Sequence, residues 1–261
     1  SLNNNFSKAR NDLLNLTDSK WILCIEPYEV ILKGIEFIEE AVYLKNAAFK
    51  VSVIQGDVIT EQIRFWHRNM KLQYKNPVFE TISGSGQQSE IYVSILHHDK
   101  SELQLNLAKK WLDSSPLASE PIYYLACVYL IKKNWSAFLD YANMYLHQEN
   151  SISISSVMLR YYCAMVKCYI EKKYNEAVKY LLPCLAERPL MAEFWCLLGD
   201  IYYSSNKLEK AICFYENSII LGSRRLKNDE WPLEISKYKE YPEKMIKSCQ
   251  KIKQSSRIYF G

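Results

Sequence analysis

The chain has 261 residues, enough for one large domain or two smaller ones, and its 49% hydrophobic content is ample for a core. A net charge of +4 is mild and makes no case for a nucleic-acid partner, while 24% charged residues is ordinary for a soluble protein. The first residues, S-L-N-N-N-F-S-K, do not read as a signal peptide, and no apolar run approaches the ~20 residues that span a bilayer.

Asn5 is placed to cap a short helix over F-S-K-A-R-N-D-L-L-N-L. Trp21 to Ile25 reads as a short strand stopped by Glu26-Pro27-Tyr28-Glu29, because proline cannot sit in a central ladder. A helix over V-I-L-K-G-I-E-F-I-E-E is expected next. A-F-K-V-S-V-I-Q and V-I-T-E-Q-I-R-F-W-H-R flank Gly56-Asp57 and read as a hairpin. A short strand near Met70 to Tyr74, a flexible loop over Ser83 to Ser89 and a last strand over Glu90 to Leu96 complete this part.

Several of these segments resemble the middle of family-2 glycosyltransferases of the GT-A fold. F-S-K-A-R-N followed by W-I-L-C-I-E-P-Y-E-V-I is similar to that family's A-R-N and W-I-L-x-L-D-x-D-E run. R-F-W-H-R (Arg64 to Arg68), P-V-F-E-T-I (Pro77 to Ile82) and I-L-H-H (Ile95 to His98) resemble later family segments in the same order. Glu26 and Tyr28 stand where the family has two Asp, and Phe79 where it has His. The resemblance implies a C-terminal enzyme half that moves a sugar from a nucleotide-sugar donor to a protein or glycan acceptor. Glu80 would be the general base, and Arg10, Glu26 and Glu29 would meet the donor. His97 and His98 would ligate a diphosphate-bound Mn2+ or Mg2+. The donor half would lie outside this chain, which alone is expected to be inactive.

From Ser101 the period becomes helical. S-E-L-Q-L-N-L-A-K-K-W-L is one helix, and P-I-Y-Y-L-A-C-V-Y-L-I with W-S-A-F-L-D-Y-A-N-M-Y-L makes a first helix pair. A second pair runs from about Val157 to Leu185, with Pro183 expected to kink or shorten its second helix. The third pair carries the signal. Trp195, Leu198, Gly199 and Tyr202 have the W-x2-L-G-x2-Y spacing of a tetratricopeptide (TPR) first helix, and Ala211 and Tyr215 fit its second. Ala177 precedes Ala211, and Tyr174 precedes Leu208, by the ~34-residue TPR period. Glu193, Cys196, Asp200 and Tyr203 share one helix face and are expected to line a peptide groove. The lysine-bearing helix Y-P-E-K-M-I-K-S-C-Q-K-I-K closes the stack.

The expected fold is α+β: a partial GT-A-like α/β region over 1–100, then a TPR-like α-solenoid over 101–261, mostly α overall. The TPR tail would bind the acceptor or self-associate, a homodimer being one form. The alternative is a non-catalytic TPR protein-interaction module. Eight cysteines without a C-x2-C pair read as free thiols of a reducing, cytoplasmic compartment.

Overall fold

The computed structural model describes residues 5–78, 80–82, 84–95, 101–149, 152–226 and 229–259. The chain packs as two compact units, Ser1–Tyr141 with Glu230–Leu233, and Ala142–Asp229 with Glu234–Gly261. The change from strands to helices falls earlier, between 95 and 101.

The first unit opens with α1 (Phe6–Asn15), capped as expected by the Asn5 side chain, which accepts from Lys8 N at 2.9 Å. A twisted sheet follows: β1 (Trp21–Leu23), β2 (Glu29–Lys33), β3 (Ala48–Gln55), β4 (Val58–His67) and, after the two-residue strands β5 (Tyr74–Lys75) and β6 (Thr81–Ile82), β7 (Gln87–Ile95). Its main path runs β1-β4-β3-β7-β2, antiparallel except for the β3–β7 pair. The β3–β4 hairpin turns at Gly56-Asp57, with Gln55 opposite Val58. Val51, Val53, Phe65, Ile91 and Val93 are buried at its centre, with Trp21 against Phe65 at 4.8 Å between ring centroids.

The helix expected over V-I-L-K-G-I-E-F-I-E-E is two elements. Val30 and Ile31 pair with β7 as strand, and only Ile35–Ala41 is helix (α2). The break is Gly34, at φ +97°, where a Cβ would lie 2.5 Å from the Glu90 carbonyl oxygen. Gln87 to Ser89, read as flexible loop, belong to β7, because Ser89 Oγ donates to Lys50 O at 2.6 Å.

Helices then alternate: α3 (Ser101–Ser114), α4 (Ser119–Ile131), α5 (Trp135–Gln148), α6 (Ile154–Met165), α7 (Tyr174–Glu187), α8 (Ala192–Ser204), α9 (Leu208–Gly222) and α10 (Glu240–Tyr259). In the first unit α3 packs on α4 around Leu105, Ala108, Leu125 and Val128, and Tyr129 stacks on Tyr141 of α5 at 5.4 Å. In the second, α6 packs on α7, α7 on α8, α8 on α9, and α9 on α10. Pro183 does not end α7, which continues to Glu187.

The turns inside the three pairs share one design. Lys133, Lys172 and Asn206 each hold a left-handed backbone (φ 54°, 56° and 55°) just before the second helix begins. After them, Asn134 N bonds Tyr129 O and Lys207 N bonds Tyr202 O, both five residues back. Lys173 N instead reaches six residues back, to Lys167 O. The additional residue is accommodated in a π-helical turn, Val166–Ile170, that extends α6.

Candidate functional site: the inner face of helix α8

Two small residues set the α8–α9 crossing. Gly199 faces the Tyr215 ring so closely that a Cβ would lie 2.4 Å from Cε1, and Ala211 is fully buried. Trp195 donates from Nε1 to Pro189 O at 2.7 Å and stacks with Phe214, which also stacks on Tyr202 at 5.0 Å. The W-x2-L-G-x2-Y residues thus act as packing residues, as their spacing predicts.

The other face of α8 carries Glu193, Cys196 and Asp200. All three are buried, at 0%, 0% and 4% exposure. The chain's own C-terminal segment closes this face instead of leaving it as an open groove. Glu193 accepts from Glu234 N at 3.0 Å and from Tyr238 hydroxyl at 2.9 Å, with Arg225 Nη1 3.6 Å away. Asp200 Oδ1 accepts from the hydroxyls of Tyr215 and Tyr241, each at 2.6 Å, and Oδ2 accepts from Tyr169. Cys196 Sγ donates to Lys237 O at 3.4 Å, and Tyr203 packs into the cluster of Ala211, Tyr215 and Cys249. The reason is desolvation: a buried carboxylate needs donors, and a 3-10 turn at Ile235–Tyr238 with the start of α10 provides them.

The electrostatics follow the same logic. Burial, opposed by its hydrogen bonds and Arg225, pushes the Glu193 carboxyl up to about 7. Burial first, then the Asp200 charge, holds Tyr169, Tyr215 and Tyr241 well above the ordinary phenol range, so they remain donors at any working pH. Burial also raises the Cys196 thiol to about 12, which leaves it inert.

In the first unit, residues singled out from the sequence do meet. Arg10 donates from Nε to Glu80 Oε1 at 2.5 Å and from Nη2 to Glu26 Oε1. Burial works against the Arg10 charge, and the two carboxylates outweigh it, so its pKa rises. Arg64 Nη1 donates to Glu29 Oε2 at 2.8 Å, and that same oxygen accepts from Glu26 N at 2.8 Å. Glu29 Oε1 is buried without a hydrogen-bond partner among the described residues. Each glutamate is engaged by a guanidinium. No group of three or more His, Cys, Asp or Glu among the described residues is placed to hold a metal ion. His97, His98 and Phe79 lie outside the described residues. All eight cysteines are free, and no helix among the described residues is long and apolar enough to cross a membrane.

No protein-family model and no curated protein matches the sequence. Among solved structures the chain is similar to MamA 41-end from Desulfovibrio magneticus RS-1, with 18% identity, 59% of this chain and 86% of that chain covered, and a TM-score of 0.44. It is also similar to yeast Tom70, with 17% identity, 50% and 26% covered, and a TM-score of 0.37. The third is BtubC from P. vanneervenii, with 11% identity, 61% and 89% covered, and a TM-score of 0.31. At these values the likeness bears on no function. The glycosyltransferase resemblance is overturned: no family model for such an enzyme matches, and the segments behind it hold arginine–glutamate pairs. The chain is mostly α, and from α4 to α9 its helices follow one another in pairs.

Proposed function

We propose that this chain is a non-catalytic protein-interaction module built on TPR-type helix pairs. The observation that carries the reading is the turn repeated at Lys133, Lys172 and Asn206, each joining two helices through one residue of left-handed backbone. A helix pair of this kind cannot bury its own apolar faces, so pairs stack, and stacked pairs present side chains to other proteins. The glutamates that a catalytic role would need to be free are paired with Arg10 and Arg64, which supports a binding role over chemistry.

The partner class is a protein segment, in extended or helical form. The test is selection of a displayed peptide library on the full chain, followed by hydrogen-exchange mapping of each binder. Binders of micromolar affinity with footprints on α4 to α9 are expected. Absence of any such binder, or footprints confined to the sheet, overturns the reading. Self-association is read separately by equilibrium sedimentation, where a particle of twice the chain mass makes a second copy the partner.

A further inference from the structure

The inner face of α8 is the face a TPR helix offers to a ligand, and here residues 234–241 of the chain itself lie on it. Glu234 offers a backbone N–H to Glu193, Tyr238 a hydroxyl to Glu193, Tyr241 a hydroxyl to Asp200, and Lys237 a carbonyl to Cys196 Sγ. Hydroxyl and amide donors meet buried carboxylates; the apolar Ile235 of the same segment is half exposed. The middle of the segment, Ile235–Tyr238, is a 3-10 turn, the poorer of the helical hydrogen-bond geometries, and Glu240 and Tyr241 open α10. These polar contacts hold the segment on the face, together with the packing of Tyr241, whose ring meets that of Tyr215 edge-on at 6.2 Å between centroids.

We propose that the inner face of α8 is a docking site for a partner segment with two unmodified tyrosines three residues apart, and that residues 234–241 occupy it until that partner displaces them. This rests on the interaction-module reading and names its partner chemistry. The spacing is that of Tyr238 and Tyr241, whose hydroxyls reach Glu193 and Asp200 respectively. The chemistry also excludes partners. Phosphorylation would set a dianion against each acid, and phenylalanine would take from Glu193 and from Asp200 the one hydroxyl that this segment supplies to each.

The test uses the full chain and a fluorescent peptide with the sequence of residues 233–243. In anisotropy titrations the Tyr238→Phe/Tyr241→Phe chain, whose internal segment has lost its hydroxyls, is expected to bind this peptide at least tenfold tighter than wild type. A peptide carrying phenylalanine or phosphotyrosine at both positions is expected to bind at least tenfold more weakly. Asp200→Asn in the same chain is expected to weaken binding by a similar factor. Equal binding by all three peptides, or none by the double variant with its helical circular dichroism intact, overturns the proposal. Should that variant not fold, hydrogen exchange on wild type decides. Amides of 234–238 exchanging far faster than those of α8 agree with a displaceable segment, and protection equal to α8 refutes it. Library binders that lack tyrosine or ignore Asp200→Asn overturn this inference alone and leave the interaction module standing, whereas an empty selection removes the module reading itself.

Discussion

Replacing Gly199 by alanine isolates the contact on which the α8–α9 pair depends. The new methyl would sit 2.4 to 2.7 Å from three atoms of the Tyr215 ring, so the ring must move by about 1 Å to reach ordinary contact. Tyr215 is fully buried and its hydroxyl is bonded to Asp200 at 2.6 Å, so the movement breaks or strains that bond. Overpacking costs about 1–3 kcal/mol. A hydrogen bond to a charged group contributes about 1.5–3 kcal/mol. Alanine returns about 1 kcal/mol through its better helix propensity. The balance is a loss of about 1.5–5 kcal/mol, centred near 3, in the stability of the second unit. At roughly 2–4 °C per kcal/mol this lowers the melting temperature by about 6–12 °C. Thermal and urea unfolding followed at 222 nm reads it, with hydrogen exchange at α8 locating the loss. A melting point equal to or above wild type would mean that Gly199 is not the point of closest approach, and the pairing drawn here would be wrong.

Gly34→Ala is expected to cost the first unit about 2–4 kcal/mol, since it adds left-handed strain to a clash with the backbone of β7, and a urea midpoint unchanged from wild type would contradict the sheet register. Arg10→Met leaves Glu26 and Glu80 half-buried without their guanidinium and is expected to destabilise by about 1–3 kcal/mol, a loss that the further change Glu80→Gln partly restores in a double-mutant cycle. The Glu193 carboxyl, raised by burial to about 7 against about 4.5 when unfolded, favours folding fully below the lower value and ceases to do so as pH rises through the upper one. Between pH 5 and pH 8 the wild-type urea midpoint should therefore fall relative to Glu193→Gln, by up to about 3 kcal/mol in stability, and parallel pH profiles would refute the assignment.

The residues that pack helix against helix were legible because their spacing is local. Gly199, Ala211 and Tyr215 lie within one repeat, and a fixed period announces them before any coordinates exist. The β3–β4 hairpin was legible for the same reason, its turn lying between two alternating runs. The occupant of the α8 face was not legible, because Glu193 and Tyr238 are 45 residues apart and nothing in either segment names the other. A weak signal was present: two acids on an otherwise apolar helix require donors from somewhere. The repeated turns escaped notice because Lys133, Lys172 and Asn206 take a left-handed backbone that sequence reading assigns to glycine. The short segments that suggested a sugar transferase were read for chemistry when their glutamates serve ion pairs across the first unit. Arg10 meets Glu80 from 70 positions away, and no local pattern records such a meeting.

The π-helical turn at Val166–Ile170 makes the chain's tolerance of length changes uneven. Excising a single amino acid from this bulge would let α6 relax to regular winding and shorten the Lys173-to-Lys167 span to the five-step form of its sister turns. The same excision would rotate Tyr169 by about 100° around the axis and detach it from Asp200. A deletion that tidies the backbone would thus be punished through one phenol, which gives a reason for an irregular stretch of this kind to persist in an otherwise regular array.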